Sequence, residues 1–368
     1  MMVTSLPFSQ EYKLVWQDNF DGTQLDEANN WNIEVNGDGG GNRELQYYRR
    51  QNISVGIDPV SRENCLIITG KKESYMGRTC TSGRITTQNK MTFQYGKLEA
   101  SIKLPKTANG LWPAFWLLGY DIPVMSWPKC GEIDIVEMGN INGINAGTQD
   151  RYFNGACHWG FVENGFHPSN VGALTSAYSL QDDFHLFTMV WDTKTIKMFL
   201  DQDKYPDVQP YLKMGITADA TAKDPYYYFN KPFFVLFNLA IGGNFPQIWD
   251  IKQITALNNG DAKMYVDYVR VYQTGDPMEK FTGVKVTGLT PVKTKDKCRI
   301  YPNPVGTNLS IESENNIVKA TMYTLSGQKR MVVNNKKNID ISDLPGGNYI
   351  LKIEDEHGYV ENHKVIKY

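Results

Sequence analysis

The segment Lys97-Leu-Glu-Ala-Ser-Ile-Lys-Leu104 alternates polar and apolar side chains along its whole length. Successive side chains of a β-strand point to opposite faces, so this pattern is typical of an antiparallel strand with one buried face. Glycine, asparagine, aspartate and proline clusters separate similar β-rich runs elsewhere in the chain, and helical periodicity is scarce. These runs are Cys65–Thr69, Tyr95–Leu104, Phe187–Leu200, Phe233–Ile241 and Met264–Tyr272. They predict an all-β sandwich of many strands.

The charge and hydrophobicity of the chain limit the kinds of molecule that it is expected to bind. The chain has 368 residues, a formal net charge of −2 and 21% charged residues, so no basic field would attract nucleic acid. It contains no run of eighteen apolar residues, so no membrane span is expected. Aromatic residues make up 12% of the chain, with 8 Trp and 21 Tyr, which suits a large β core and also stacking on sugar rings.

The sequence divides into two predicted domains. Residues 1–274 carry the strand-rich part, residues 275–297 are rich in Gly, Pro, Thr and Lys and are interpreted as a linker, and residues 298–368 form a small β-sandwich. The expected strands of this second domain lie around Leu309–Glu312, Lys319–Tyr323, Tyr349–Ile353 and Val360–Ile366. It has no acidic cluster of its own.

The cysteines are scattered and their number is odd. No CxxC pair or Cys/His cluster occurs, so a zinc site is not expected. At most two disulfides can form, and the sequence does not indicate which of Cys65, Cys80, Cys130, Cys157 and Cys298 would pair. The first residues lack a basic segment followed by an apolar one, so we expect any secretory signal to have been removed or never to have been present.

The chemical signal is the segment Gly131-Glu-Ile-Asp-Ile-Val-Glu-Met138. In a regular strand Glu132 and Asp134 share a face, whereas Glu137 lies at an odd offset and points to the other. One extra residue, a β-bulge after Asp134, would bring all three carboxylates to one face. A solvated strand face or a set of calcium ligands is the plainer interpretation. Three carboxylates on one face repel one another, however, so this arrangement is unfavourable unless it serves a function.

Retaining hydrolysis of a glycosidic bond needs two carboxyl groups, one ionised and one protonated, about 5–5.5 Å apart. A third carboxyl group between them helps to keep those two states apart. On this hypothesis Glu132 attacks the anomeric carbon, and Glu137 protonates the leaving oxygen and later activates water. Asp134 orients and tunes Glu132.

Glu132-Ile-Asp-Ile-Val-Glu137 resembles the signature of glycoside hydrolase family 16 in its six-residue, bulged form. The resemblance extends over about Lys13 to Tyr272. It is supported by Trp16-Gln-Asp-Asn-Phe20, Asn42-Arg-Glu-Leu-Gln-Tyr-Tyr48, Ser82-Gly-Arg-Ile-Thr-Thr87, Leu111-Trp-Pro-Ala-Phe-Trp-Leu-Leu118 and Asn238-Leu-Ala-Ile-Gly-Gly-Asn-Phe-Pro246. It implies a β-jelly roll with an open concave cleft. It also implies a secreted laminarinase-like enzyme that cuts β-1,3-glucan, mixed-linkage β-1,3-1,4-glucan or both, within the chain and with retention.

The resemblance also implies roles for residues around the acids. Trp112 and Trp116 would form an aromatic floor, although plain core packing competes for Trp116. His158 is similar to a histidine beside the acid/base, against the alternative of a structural histidine. The other candidate substrate-binding residues are polar: Asn42, Arg84, Glu44, Asn238 and Asn244. Among these, Glu44 would either bind sugar or orient Arg84.

Two further expectations come from resemblance. Asp267 occupies a position that would contribute to one structural calcium ion, with backbone carbonyls as the other ligands, and no cofactor is expected for catalysis. Ile300-Tyr-Pro-Asn-Pro-Val305, Leu344-Pro-Gly-Gly-Asn-Tyr349 and the basic end Lys364–Tyr368 resemble the sorting domain of type IX secretion in bacteria. The protein would then be secreted or held at the cell surface, as a monomer. An ordinary carbohydrate-binding sandwich is the alternative for this domain.

Other functions stay open at this stage. A hydrolase of agar or another galactan would carry the same bulged signature. A non-catalytic β-glucan-binding protein would share the fold, although such proteins typically lose the catalytic acids that stand here. A transglycosylase would pass the covalent intermediate to a sugar instead of water. The segment Gly39-Gly-Gly41 lacks the strand–helix context of a phosphate loop and is interpreted as a flexible loop at the cleft edge.

Overall fold

The computed structural model describes residues 11–216, 224–285, 298–313, 315–324, 329–356 and 360–368. The described residues fall into two compact units, one up to residue 285 and one from residue 298 onward. A short strand, Lys280–Thr282, lies within the range that the sequence analysis assigns to the linker, and it pairs with Thr92–Gln94. Residues 1–10 and 286–297 lie outside the described residues, and so do residues 217–223, 314, 325–328 and 357–359.

The first unit consists mainly of β-strands. These are β1 Lys13–Asp18, β2 Asn32–Ile33, β3 Gln46–Tyr48, β4 Ile53–Ile57, β5 Asn64–Gly70, β6 Cys80–Ser82, β7 Arg84–Thr86, β8 Thr92–Gln94, β9 Gly96–Lys103, β10 Leu111–Gly119, β11 Glu132–Met138, β12 Tyr152–His158, β13 Ser169–Thr175, β14 His185–Trp191, β15 Thr195–Leu200, β16 Leu212–Gly215, β17 Phe233–Ile241, β18 Ala262–Gln273 and β19 Lys280–Thr282. Three short α-helices accompany them, α1 Ile122–Met125, α2 Ile141–Asn145 and α3 Pro225–Phe229. Single 3-10 turns occur at Arg50–Asn52, Ile251–Gln253 and Thr255–Leu257.

Two large antiparallel sheets form the sandwich. The back sheet has the strand order β16-β15-β14-β9-β18-β5-β4, with β1 also paired to β18. The site sheet has the order β13-β12-β11-β10-β17-β7-β2, with β8 also paired to β17 and β19 paired to β8. The predicted strand Phe187–Leu200 is in fact the hairpin of β14 and β15. The all-β sandwich predicted from the sequence is confirmed.

One large apolar core holds the two sheets together. Leu98, Ala100 and Ile102 of β9 are fully buried in it, and so are Phe115 of β10 and Phe237 of β17. The rings of Phe115 and Phe237 stack with centroids 4.6 Å apart. Each such buried aromatic side chain contributes about 1.5–3 kcal/mol through removal of its surface from water. The core therefore fixes β10 and β17, the two strands at the centre of the site sheet.

Strand β9 corrects one expectation. The alternating pattern predicts an exposed polar face, yet Glu99, Ser101 and Lys103 are all less than 9% exposed. Glu99 accepts hydrogen bonds from Lys97 and from the Tyr272 hydroxyl, and Lys103 forms an ion pair with Asp58. Both faces of β9 are therefore buried, because it lies between β14 and β18 and neighbouring side chains cover its polar face.

The second unit is a small β-sandwich with its own core. Its strands are β20 Arg299–Tyr301, β21 Asn308–Glu312, β22 Ile317–Thr324, β23 Lys329–Asn334, β24 Asn338–Asp340, β25 Gly347–Asp355 and β26 Val360–Lys367. They form a sheet of order β20-β21-β24 and a sheet of order β23-β22-β25-β26. The four strands predicted for this part are present. Leu309, Met322 and Leu351 are among the buried residues between the sheets.

Two further observations concern the disulfides and the membrane span considered from the sequence. All five cysteines are free thiols, and Cys65, Cys80, Cys130 and Cys157 are buried. The sequence allowed one or two disulfides, and the structure forms none. Within the described ranges, none of the helices has the length and apolar character needed to cross a bilayer.

Candidate active site

Strand β11 carries the acidic segment and contains the predicted bulge. On β10, Ala114 pairs with Glu137, Phe115 with Val136 and Trp116 with Asp134, so Ile135 is the extra residue. The pairing with β12 shifts at the same place. Because residues directly opposite each other in a ladder share a face, Glu132, Asp134 and Glu137 lie on one face of the site sheet. Ile135 and Val136 are both fully buried on the core side.

The bulge is held by contacts from β12 and from a distant tyrosine. The backbone carbonyl of Ile135 accepts a hydrogen bond from the hydroxyl of Tyr211, which packs edge-on against Phe153. Opposite the bulge lies Gly155, where a Cβ atom would approach the Tyr211 ring to 2.7 Å and the Met198 sulfur to 2.8 Å. The bulge therefore depends on a missing side chain at position 155.

Burial and mutual repulsion dominate the electrostatics of the three acids. Asp134 is 4% exposed, and the loss of solvation followed by the charges of Glu132 and Glu137 raises its pKa well above its usual range. Burial followed by the charge of Glu137 raises the pKa of Glu132 to about 8, and burial raises the pKa of Glu137 to about 7. The cluster therefore retains protons near neutral pH, as an acid/base site requires.

The surroundings of the two glutamates differ. Against the effect of burial and of Glu137, a hydrogen bond from Trp127 and the charge of Arg84 lower the pKa of Glu132. Glu137 accepts a 2.9 Å hydrogen bond from Trp112, which lowers its pKa, while the negative charge of Glu44 raises it. A cation thus acts on Glu132 and an anion on Glu137, but burial outweighs both charges, and the pKa of Glu132 stays above that of Glu137. An ionised Glu132 beside a protonated Glu137 is what retaining hydrolysis requires, and these pKa shifts alone do not select it.

The two candidate tryptophans lie on the acid-bearing face. Trp112 is half-buried and stacks on Phe245, with ring centroids 4.7 Å apart and an interplanar angle of 11°. Trp116 is also half-buried, and its indole donates a 2.7 Å hydrogen bond to Asn238. Trp116 packs against a small apolar cluster that is separate from the main core. Both rings are therefore placed beside the acids and not between the sheets.

Arg84 is positioned by a residue that the sequence analysis did not select. Its guanidinium lies 4.8 Å from the centre of the Trp116 ring, and its Nε is 3.1 Å from a carboxylate oxygen of Glu34. Glu44, for which the sequence left open sugar binding or orientation of Arg84, accepts hydrogen bonds from Gln46 at 2.6 Å and from Tyr48 at 3.1 Å. Glu34, and not Glu44, forms the ion pair with Arg84 among the described residues.

His158 lies beside a different acid from the one expected. It pairs across the ladder with Glu132, and its Nε2 is 3.4 Å from Oδ2 of Asp134. The residue opposite Glu137 is Asn154. The structure therefore places His158 beside Asp134 and opposite Glu132, while Glu137 lies opposite a residue four positions away on β12. Burial followed by the neighbouring His167 lowers the pKa of His158 to about 4.

The remaining asparagines lie at the edge of the site and in its floor. The Asn42 carbonyl accepts a 2.9 Å hydrogen bond from the Asn244 amide, and Asn244 is exposed. Asn238 is buried and donates to the Tyr48 hydroxyl. The Gly39–Gly41 loop packs against Glu44, since a Cβ on Gly40 would lie 2.3 Å from its carboxylate.

Sequence reasoning missed Glu34, Trp127, His167 and Tyr211. Each contacts the site from a segment far away in sequence or from a loop, so strand periodicity carries no signal for it. Trp127 is the exception, because it stands five residues before Glu132, at the entrance of the acidic strand. Its aromatic ring, close to the acids in sequence, was the available signal, and the structure shows that the ring is exposed.

Metal-binding groups are few in the described part of the chain. Glu132, Asp134 and His158 form the only group of three metal-ligating side chains there, and it belongs to the acid cluster. Asp267 lies outside that group, at a bulge of β18 opposite β9. Besides burial, the negative charges of Asp267 and Asp58 both raise the pKa of the buried Cys65 thiol, but Asp58 is already paired with Lys103. Asp267 therefore fits a calcium site only if backbone oxygens supply the other ligands.

Comparison with known proteins assigns the family. Residues 43–223 match the glycosyl hydrolases family 16, and residues 299–368 match a secretion system C-terminal sorting domain. The chain is 33% identical over 267 residues to a β-glucanase of Rhodothermus marinus, and the match covers 71% of this chain and 85% of that protein. The chain belongs to glycosyl hydrolases family 16.

Solved structures agree with this assignment. A family 16 enzyme from Bacteroides ovatus, solved with a mixed-linkage glucan product, is 37% identical with a TM-score of 0.60, and the match covers 70% of this chain and 99% of that one. The laminarinase catalytic domain of Thermotoga petrophila is 32% identical with a TM-score of 0.58, and the match covers 72% and 98%. The sandwich of this family 16 glycoside hydrolase is thus a β-jelly roll.

Some relatives are much longer proteins. The family 16 hydrolase is 34% identical over 266 residues to the clotting factor G alpha subunit of Tachypleus tridentatus, a match that covers 72% of this chain and 34% of that protein. The C-terminal unit of the hydrolase is a sorting domain, which implies that the protein is exported from the cell or to its surface.

Proposed function

We propose that this hydrolase cleaves β-1,3-glucan and mixed-linkage β-1,3-1,4-glucan within the chain, with retention of configuration. The observation that carries the proposal is the β-bulge at Ile135, which aligns Glu132, Asp134 and Glu137 on one face. The relatives support the substrate class, since they include a laminarinase and an enzyme solved with a mixed-linkage product.

In the first step the Glu132 carboxylate attacks the anomeric carbon, while Glu137 donates its proton to the departing glycosidic oxygen. A covalent glycosyl ester on Glu132 results. In the second step the Glu137 carboxylate accepts a proton from water, the water oxygen attacks the anomeric carbon, and Glu132 leaves as a carboxylate. Two inversions give net retention.

Asp134 and the aromatic residues support these steps. A protonated Asp134 adds no second negative charge beside Glu132, so Glu132 ionises more easily than it would beside a carboxylate. Trp112 and Trp116 present indole rings next to the acids, suited to the apolar face of a pyranose. Arg84, Asn42, Glu44, Asn238 and Asn244 are the proposed hydroxyl-binding groups around them.

The proposal extends to export. We infer that the C-terminal unit directs the hydrolase through a type IX secretion pathway of bacteria, and that the enzyme works as a monomer on extracellular polysaccharide. The match to a sorting domain supports the first inference. A fusion of residues 298–368 to a periplasmic reporter would test it in a host with that pathway. Retention of the reporter in the periplasm would contradict it.

Product analysis tests the reaction. Wild-type protein should release oligosaccharides from laminarin and lichenan and not from carboxymethyl-cellulose, and ¹H NMR should show the β-anomer first. Glu132→Gln should reduce the rate at least about a thousandfold. The matched control is Glu163→Gln, an exposed glutamate outside the acid cluster, which should leave the rate unchanged.

Azide rescue then separates the roles of the two glutamates. With an activated aryl β-glycoside, Glu132→Ala should give an α-glycosyl azide, because azide replaces the nucleophile and only one inversion occurs. Glu137→Ala should give the β-glycosyl azide, because azide attacks the ester on Glu132. The opposite products would exchange the two assignments. Binding of laminarin without any cleavage would instead indicate a β-glucan-binding protein, and cleavage of agar alone would indicate a galactanase.

A further inference from the structure

The loop between β12 and β13, residues 159–168, returns over the acid-bearing end of the site sheet. Its ends are joined by a hydrogen bond from the Trp159 amide to the Pro168 carbonyl, and Glu163 and Phe166 form a bridge near its tip. Most of its side chains are exposed, including Phe166 at 80%. His167 differs from them, because it is half-buried.

His167 touches two residues at the same time. Its Nε2 lies 2.9 Å from Nδ1 of His158, which is hydrogen-bond distance. Its ring meets the Trp127 ring edge-on, with centroids 4.7 Å apart and an interplanar angle of 70°. The loop therefore contributes one side chain that joins β12 to the segment before β11.

Both residues touched by His167 in turn contact an acid. Nε2 of His158 is 3.4 Å from Oδ2 of Asp134, and that buried oxygen has no hydrogen-bond partner among the described residues. The Trp127 side chain lies close enough to Glu132 to lower the pKa of that carboxyl group, against the larger effect of burial. His167 is thus one contact away from two of the three acids while touching neither.

The contact between His167 and His158 matters because it determines which nitrogen of His158 carries the proton. Neutral imidazole carries one N–H, so a His158 that donates from Nδ1 to His167 presents a lone pair at Nε2 to Asp134. A His158 that accepts at Nδ1 presents an N–H there instead. In the first case the neighbouring Asp134 carries the proton, and in the second it is a carboxylate. The partner at Nδ1 selects between these two states.

We propose that His167 is a positioning residue of the reaction, which fixes the tautomer of His158 and the orientation of Trp127. Through them it keeps Asp134 and Glu132 in the states that the first chemical step requires. The effect on catalysis rests on the proposed function, whereas the effect on His158 does not.

Two variants separate the contacts of His167. His167→Phe keeps a ring against Trp127 and removes the nitrogen that faces His158. His167→Gln loses the ring but places an amide near the former Nε2 position. We expect His167→Phe to lower kcat on laminarin about tenfold with little change in KM, as the loss of one hydrogen bond in the transition state would. His167→Gln should recover to within about threefold of wild type. Glu163→Gln, on the same loop, should match wild type.

A second readout needs no substrate. The ¹⁵N chemical shifts of the His158 imidazole should report one tautomer in wild type and a shifted tautomer population in His167→Phe. Unchanged shifts in His167→Phe, or equal loss of kcat in the Phe and Gln variants, would overturn the proposal. If wild type cleaves no glucan and the shifts still change, the proposed function fails while the positioning of His158 by His167 stands.

Discussion

At the scale of single residues, Trp112 combines a stacking surface with a hydrogen bond to an acid. Its ring lies on Phe245 and its indole N–H donates to Glu137. The hydrogen bond favours the charged form of Glu137 and so opposes the rise in pKa that burial causes. Trp112 therefore forms part of the floor of the site and also influences the pKa of Glu137.

Trp112→Phe should separate these effects, since it keeps an aromatic ring and removes the N–H. Loss of the hydrogen bond should raise the pKa of Glu137, so the alkaline limb of the kcat/KM profile should move up by about 0.5–1 pH unit. A pH–rate series on laminarin measures this. Trp249→Phe removes an indole N–H that bonds Asn244 at the rim and should leave that limb in place. A shift to lower pH in Trp112→Phe would contradict the assignment.

Asp134 lowers the stability of the fold at alkaline pH. Its folded pKa is raised, first by burial and then by Glu132 and Glu137. A group with a raised folded pKa contributes its stability below its unfolded pKa, and loses it as the pH rises through the folded value. Asp134→Asn should therefore raise Tm over wild type at pH 9 by several degrees, and the gain should shrink toward pH 5.

Asp58 provides the control for this thermal series. It is also a buried aspartate, but Lys103 and hydrogen bonds from Ser61 overcome the effect of burial and lower its pKa. Its contribution to stability is present above its unfolded pKa, so Asp58→Asn should lower Tm at pH 7 and at pH 9. A loss of stability in both variants at pH 9 would contradict the reasoning for Asp134.

At the scale of elements, the bulge of β11 is where the sequence was most informative. The odd spacing between Asp134 and Glu137 predicted one extra residue, because three acids on one face require it. The contacts that hold the bulge were not predictable. Tyr211 is 76 residues away from Ile135 in sequence. Periodicity describes faces of one strand and carries no information about such distant partners.

The expected exposed face of β9 failed for a related reason. Alternation shows that polar and apolar residues face opposite ways, but it does not show whether anything covers the polar face. Here Tyr272, Asp58 and the side chains of neighbouring strands cover it. Similarly, the sequence placed Arg84 in the site without revealing that Glu34 would be its ion-pair partner.

Gly155 allows the bulge to be tested as an element. Gly155→Ala would press a methyl group against Tyr211 and Met198, so we expect a loss of about 1–3 kcal/mol in unfolding free energy. Activity should fall in folded protein too, since movement of Tyr211 releases the Ile135 carbonyl. Urea unfolding and kcat on lichenan measure the two effects. Gly215→Ala, at a strand position with open space around it, should change neither.

At the scale of the whole molecule, the chain joins a catalytic sandwich to a smaller sandwich with a separate core. The second unit was predicted from four short strands, and three further strands complete it. Short strands such as Asn338–Asp340 carry too few residues to show a period. The overall two-part organisation is easier to predict than its details because each part repeats the same pattern many times.

The binding of one structural calcium ion with the help of Asp267 remains a prediction for the molecule as a whole. If Asp267 contributes to a calcium site, Tm of the catalytic unit should rise when calcium is restored after chelation, because the ion binds only the folded state. Asp267→Asn should lose that response. Asp261→Asn, an exposed aspartate just before the same strand, should respond like wild type. A wild-type Tm that is unchanged by chelator and by calcium would show that the fold needs no ion.

The free state of all five cysteines has a consequence for how the protein is made. No disulfide has to form for this fold, so we expect it to form equally well under reducing and oxidising conditions. Recovery of the native fold from urea should accordingly be the same with and without dithiothreitol. The exported enzyme would therefore not depend on an oxidising exterior for its fold.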